Sequence, residues 1–222
     1  MFGVECLEFT SYFSAMKSLL AFVLALAAVA ACAAPMPLND GKTFKGWFGD
    51  TNKTWRIDTN GAFVGGSLTA QVPRNEFLRT EQSYTNFILK VKFKLTGTNG
   101  FVNGGVQIRS QPATKPTNEM VGYQCDIGPG WWGALYDESR RNKVLIKPNE
   151  DDVKKAVKPN DWNEYVIRAR GKTIETAING VVMIRYTETD DTLPQHGLIG
   201  LQVHGGGAAE ASYKDITIQV LP

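Results

Sequence analysis

Cysteine is scarce in this chain. Of Cys6, Cys32 and Cys125, only Cys125 lies in the body of the sequence, so no disulfide framework can staple the fold. Charge of one sign is also missing. The 24 Lys and Arg residues are interspersed with 22 Asp and Glu, which excludes the basic footprint of a nucleic-acid binder. The apolar run Leu19–Ala31 falls short of the ~20 residues that a helix needs to cross a bilayer. Beyond it there is no helical periodicity, fixed-period repeat or low-complexity tract. Neither Asp151-Asp152 nor Asp190-Asp191 has the spaced oxygens of a calcium loop.

What stands at the N-terminus reads as an address. Met16-Lys17 opens the apolar run and small residues precede Ala34-Pro35, the layout of a secretory signal over residues 1–33. The first fifteen residues read as an over-extended reading frame. Val29-Ala30-Ala31-Cys32 resembles a lipobox, which competes with ordinary cleavage after Ala33. The expectation is an exported protein in the periplasm or at the cell surface, with a membrane link only through lipid on Cys32. Residues 34–222 then form one domain with a sizeable core.

The body alternates or runs apolar for four to eight residues, then breaks at Gly, Asn, Asp or Pro, the hairpin-rich signature of an all-β fold. Asn60-Gly61 and Asn179-Gly180 are the best turns. A dozen short strands, including Ser67–Thr69 and Gly133–Tyr136, predict two antiparallel sheets packed face to face. Three segments then stand out. In VQIRS, Gln107 and Arg109 oppose Val106 and Ile108. In YQCDI, Gln124 and Asp126 oppose Tyr123, Cys125 and Ile127. In LQVH, Gln202 and His204 oppose Leu201 and Val203. Three strands with such a polar face, beside Trp131-Trp132, predict a groove for a polyhydroxylated ligand. Cys125, on the apolar side, reads as a small core residue.

These landmarks resemble one bacterial family from about Leu38 to Leu221, the 3-keto-disaccharide hydrolases (3-keto-glucoside 1,2-lyase/3-keto-2-hydroxy-glucal hydratase). The resemblance rests on the order of LNDGKTFKGW, Trp55 with its Asn-Gly turn, Leu78-Arg79-Thr80, YTNFILKVKFKL, NGGVQIRS, VGYQCDI, DWNEYVI, ING and GLIGLQVHG. Gly104 replaces a usual Ser, and Gln124 stands where Glu is common. The resemblance implies a concanavalin A-like lectin/glucanase jelly-roll sandwich whose concave sheet carries the site. It also implies sugar chemistry outside the cytoplasm. Retaining β-glucanases of that fold use a Glu-x-Asp-x-Glu strand with carboxyls about 5 Å apart. Here Asp126 is flanked by Gln124 and Gly128, which disfavours double displacement.

A 3-keto-glucoside needs other groups. Its C2 proton is acidic because the carbanion delocalises into the ketone, and the C1 substituent then leaves by elimination before water adds. That takes a base near C2, donors or a cation at O3, and an acid at the leaving oxygen. His204, Asp126 and Glu138 are the candidate catalytic residues, with His204 the candidate base. A divalent metal held by His204 and Asp126 would suit the chemistry as well. Arg109, Gln107, Gln124, Trp132, Tyr136 and Gln202 are the candidate substrate contacts. YDESRR, from Tyr136, reads as a solvated charge cluster or a lid. The leading reading is cleavage of oxidised (3-keto) glucosides or disaccharides, supplied by a sugar 3-oxidoreductase. The alternative is a non-catalytic carbohydrate-binding module, which Gln124 favours.

Overall fold

The structure, a computed structural model, describes residues 33–222; the stretch read as a secretory signal, apart from Ala33, and the candidate lipid site Cys32 lie outside the described residues. In chain order the elements are β1 (Met36–Pro37), β2 (Trp47–Phe48), β3 (Trp55–Ile57), β4 (Phe63–Gly66), β5 (Glu76–Thr80), β6 (Phe87–Gly100), β7 (Gly104–Pro112), β8 (Met120–Ile127), β9 (Leu135–Glu138) and β10 (Lys143–Ile146). A short helix, α1 (Glu150–Ala156), precedes β11 (Asn163–Arg170), β12 (Thr173–Ile178), β13 (Val181–Thr187), β14 (Leu198–Val203) and β15 (Gly207–Val220). Two antiparallel sheets result. One runs β13-β12-β11-β6-β15-β4-β3 with β1 beside β15, the other β10-β9-β8-β7-β14-β5-β2. The jelly-roll sandwich implied by the sequence is the fold found.

Alternation explains why the sheets meet. In β6, Phe87, Leu89, Val91, Phe93 and Leu95 are buried, while Lys90 on the opposite face is exposed. They pack against Val106, Ile108, Tyr123, Cys125, Ile127, Leu201 and Val203 of the second sheet. Tyr213 crosses this core from β15. Its hydroxyl donates to the Gln202 carbonyl at 2.7 Å and accepts the Gly105 amide at 3.2 Å, pinning β7 and β14 from below.

The turns divide. Asn179 and Gly180 have φ of 49° and 82°, as a type I′ hairpin requires. At Asn60-Gly61 only Gly61 is left-handed; the turn is instead held by the Asp58 carboxylate, which accepts from the Asn60 and Ala62 amides. Ser67–Thr69 is loop rather than strand, and β9 starts at Leu135 because Trp131–Ala134 form a turn. Helix α1 was unexpected, though its signals were present. Asn149 caps the Asp151 amide, acidic residues fill the first turn and lysines the last, so Asp151 and Asp152 belong to a helix start.

Candidate active site

Register places the polar residues on the outer face of the second sheet in cross-strand rows. One row reads Phe77, Gln202, Gly105, Asp126; the next reads Phe48, Arg79, Gly200, Gln107, Gln124, Tyr136. Gln107, Gln124, Asp126 and Gln202 are nonetheless buried. Met120 at the start of β8 packs over Gly200, and the β7–β8 loop, residues 113–119, is tied down beside the face. Asn118 donates to the Asn75 carbonyl at 2.8 Å, and a Cβ at Gly200 would come within 2.5 Å of the Met120 sulfur. In place of the expected open groove, these side chains form a covered, mutually bonded polar layer. Two surface grooves, along Met36–Asp40 and beside Asn60–Gly61, contain none of these residues.

Inside, the amides are chained. Ser110 Oγ lies 2.5 Å from Gln107 Oε1, Gln107 Nε2 donates to Gln124 Oε1 at 3.1 Å, and Gln124 Nε2 donates to Asp126 Oδ1 at 2.9 Å. Asp126 Oδ2 and both polar atoms of the Gln202 amide have no hydrogen-bond partner among the described residues. Burial pushes the Asp126 carboxyl well above the ordinary range; the Gln124 bond and the Lys147 charge offset part of that, and Glu138 adds to it. Glu138, pointing outward from β9 beside Tyr136, is raised to about 7 by burial, then by the Glu119 charge. It lies within electrostatic reach of the Gln202 amide, without a hydrogen bond of ordinary geometry.

His204 follows β14 at the rim. Its Nδ1 lies 2.6 Å from the Gly205 carbonyl and its ring meets Phe101 edge-on at 4.6 Å. Burial lowers its proton affinity, with the Gly205 carbonyl opposing. The imidazole is thus neutral near pH 7, donates through Nδ1–H, and keeps Nε2 as a free acceptor. The Gly205 amide donates to Asn75, so the rim and the roof loop share one anchor.

Two expected roles change. Arg109 does not face this polar layer. A bulge between Ile108 and Gln111 and a φ of 49° turn it away, and its guanidinium donates to the Thr85 and Gly171 carbonyls and to Gln195. Arg109→Lys is expected to cost at least about 3 kcal/mol in urea unfolding, because buried acceptors lose a fork that one ammonium cannot replace. Trp132 stacks on Phe93 of the core, centroids 6.3 Å apart. Trp131 is the rim aromatic, edge-on to Phe101 and Tyr136 and under Lys147. No three His, Cys, Asp or Glu side chains among the described residues form a metal-holding group, and a metal held by the His204 and Asp126 pair stays a proposal. Asp126 Oδ1 is already engaged by Gln124.

One residue escaped the sequence reading. Glu119, at the end of the roof loop, has a buried Oε2 without a partner, and burial raises its carboxyl. The only signal was its place in the irregular, Pro-containing 111–120 segment. YDESRR is neither lid nor solvated cluster. Asp137 is fully buried between Arg140 and Arg141, and Arg141 also binds Glu188 at 2.7 Å.

A two-sheet sandwich with a polar, loop-covered outer face is the architecture of carbohydrate-active jelly rolls. A proposed glycosyl hydrolase from Parabacteroides distasonis is similar at 18% identity, over 85% of this chain and 94% of its own, with a TM-score of 0.62. A carbohydrate-binding module (CBM66) from Bacillus subtilis is also 18% identical, over 78% and 95%, at 0.60. A Bacillus licheniformis β-glucanase is 12% identical, over 86% and 99%, at 0.52. Likeness at these identities establishes the fold. No curated protein matches the chain. The chain belongs to the family described as the 3-keto-alpha-glucoside-1,2-lyase-like domain, which matches residues 34–219.

Proposed function

We propose that this protein is an exported enzyme that cleaves 3-keto-glucosides or 3-keto-disaccharides by C2 deprotonation, elimination and hydration. The observation that carries the reading is the buried polar layer on the outer face of the second sheet, with Glu138 beside it. Glu138, with a proton affinity near neutrality, lies beside the Gln202 amide and the buried Asp126 carboxyl, whose Oδ2 has no partner among the described residues. A carboxyl poised near the working pH suits proton transfer in either direction. Glu138 takes the C2 proton, the C1–O bond breaks to give the 2-hydroxyglucal, and the same proton passes to the leaving oxygen. His204 Nε2 then accepts a proton from the water as its oxygen bonds to C1, and that proton is handed on to C2 as the enolate returns to the ketone, leaving His204 neutral. The net change is hydrolysis. Trp131 and Tyr136 supply apolar surface at the mouth for a sugar ring. A divalent metal held by His204 and Asp126 would polarise the ketone in the same chemistry. A sugar 3-oxidoreductase supplies the ketone.

The second reading, a silent carbohydrate-binding module, draws on Gln124 in a slot where a carboxylate is common.

The test is product release from 3-keto-glucosides of both anomers, with a chelator and with divalent metal. Release in chelator, slowed about 10²-fold or more in His204→Ala, is the expected result. Saturable binding of unoxidised glycans with no turnover of either anomer would establish the binding module instead.

A further inference from the structure

The polar layer is shut away from solvent. Gln202 is 0% exposed and Asp126 3%, and the Gln124 side chain fills the space over Gly105 between them. No sugar reaches these groups while the face stays as it is. Part of the covering has to move, and the geometry singles out the far end of the β7–β8 hairpin, residues 111–121.

That end turns back across its own sheet. Met120 belongs to β8, yet its sulfur packs over Gly200 of β14, on the far side of β7. Asn118 reaches one strand further, to the Asn75 carbonyl just before β5, at 2.8 Å. Between these two, the Glu119 carboxyl is influenced both by Asn75 and by Ser139, which follows β9 on the other side of the sheet. Its attachment is slight. The backbone bonds of the tip are internal, from the Ala113 amide to the Glu119 carbonyl at 2.9 Å and from the Glu119 amide to the Pro116 carbonyl at 3.1 Å. Among the described residues, the Asn118 bond is the one side-chain hydrogen bond of ordinary geometry that ties this segment to another strand. The base, by contrast, is fixed. Arg109 is held by Thr85, Gly171 and Gln195, and Ser110 pairs with Leu198 of β14. The register slip between Ile108 and Gln111 falls at this boundary, and Gly122 crosses Ser110 so closely that a Cβ there would lie 2.3 Å from its Oγ. A bulge and a glycine between a clamped base and a lightly tied end are the parts of a hinge.

We propose that residues 111–121 form a flap, hinged at Ser110 and Gly122, which lifts Met120 off Gly200 and Asn118 off Asn75 to admit the sugar to the polar layer. The flap rests on the function proposed above only in placing the sugar site on this face. Lifting uncovers the groups that the closed form leaves unmet: Asp126 Oδ2, both polar atoms of the Gln202 amide and Glu119 Oε2. Each gains a partner from water or a sugar hydroxyl, which offsets the lost Met120 contact and the Asn118 bond. The two forms therefore stay close in free energy, as a switching element requires. Sugar binds the open form alone, so its apparent affinity is scaled by the fraction of open flap.

Met120 reports the opening. Its side chain is 0% exposed when the flap is closed; Met183, at 6%, is covered as well but packs on Gly133, and Met36, at 41%, gives the rate of a free thioether. Dilute peroxide converts an accessible methionine to its sulfoxide, and peptide mass spectrometry reads each site separately. Met120 is expected to oxidise well ahead of Met183. In Asn118→Ala its oxidation should speed by about 2–10-fold, the worth of one hydrogen bond, with Met183 unchanged. Binding is followed by calorimetry with 1,5-anhydroglucitol and its 3-keto derivative, neither of which has a group at C1 to eliminate. Asn118→Ala should tighten it by the same factor. Met120 as well protected as Met183 would overturn the flap. So would faster Met120 oxidation with sugar binding unchanged, weakened or absent. An open Met120 with tightened binding, but no turnover of any 3-keto-glucoside, would uphold the flap and remove the lyase reading. Turnover with Met120 fully protected would do the reverse.

Discussion

Glu138→Gln is expected to lower turnover of a 3-keto-glucoside by about 10³-fold while making the protein more heat-stable above pH 7. Both effects have one origin. Burial first, and the Glu119 charge second, raise the Glu138 carboxyl from 4.5 to about 7. The folded protein therefore favours the protonated acid more than the unfolded chain does. That stability is fully present below about pH 4.5 and is lost as pH rises through about 7. Glutamine has no proton to lose, so the Tm advantage of the variant should open between those limits and stay level above them. Activity runs the other way, because removal of the C2 proton needs the carboxylate. In the parent, kcat/KM should rise with pH through about 7, and Glu138→Gln should lack that limb. Glu119→Gln should move it to lower pH, since a like charge has been removed. The carboxyls facing Glu138 are Glu119, Asp137 and Asp126; Arg140 and Arg141 are bound to Asp137. Full turnover in Glu138→Gln, or a Tm difference independent of pH, would remove Glu138 from the chemistry.

How much of this was legible in the sequence depends on where strand alternation holds. It holds through Val106–Ile108, Tyr123–Ile127 and Leu201–Val203, so Gln107, Gln124, Asp126 and Gln202 could be placed on one face from their spacing alone. It fails at Arg109, which has the same parity as Gln107. The bulge that rotates it away depends on how β7 meets β8 and leaves no mark in the residues themselves. In the loop after Gly130, parity cannot separate two adjacent tryptophans, and packing on Phe93 decides that Trp132 goes inward. The roof was illegible for a related reason. Met120 settles on Gly200, eighty residues away in sequence, and only register reveals that the glycine leaves room for it. Helix α1 was legible in its cap and end charges, yet at seven residues it was too short for periodicity to register.

Arg141→Met is expected to cause the largest loss of stability, about 3–5 kcal/mol in urea unfolding. Arg141 sits between two carboxylates taken out of water: Asp137 is 0% exposed and Glu188 1%. It joins β9 of one sheet to the end of β13 in the other, so the bond ties together strands from facing sheets. Methionine keeps much of the bulk but leaves Glu188 to the Tyr123 and Tyr186 hydroxyls and the Thr189 and Asp190 amides. A buried charge without its counter-ion is the costly outcome, whatever the net worth of the intact pair. The pH dependence identifies the cause. Burial pushes the Glu188 carboxyl up, but Arg141, the Asp190 amide and the Tyr123 hydroxyl outweigh it and hold the group at about 2. A carboxyl lowered from 4.5 contributes stability that is fully present above about that pH and is lost as pH falls toward 2. The parent should therefore lose stability steeply on acidification through that window. In Arg141→Met much of that loss is already present at neutral pH, so its acid slope should be shallower. Equal slopes in the two proteins would mean that the ion pair, though buried, is not what holds the sheet edges together.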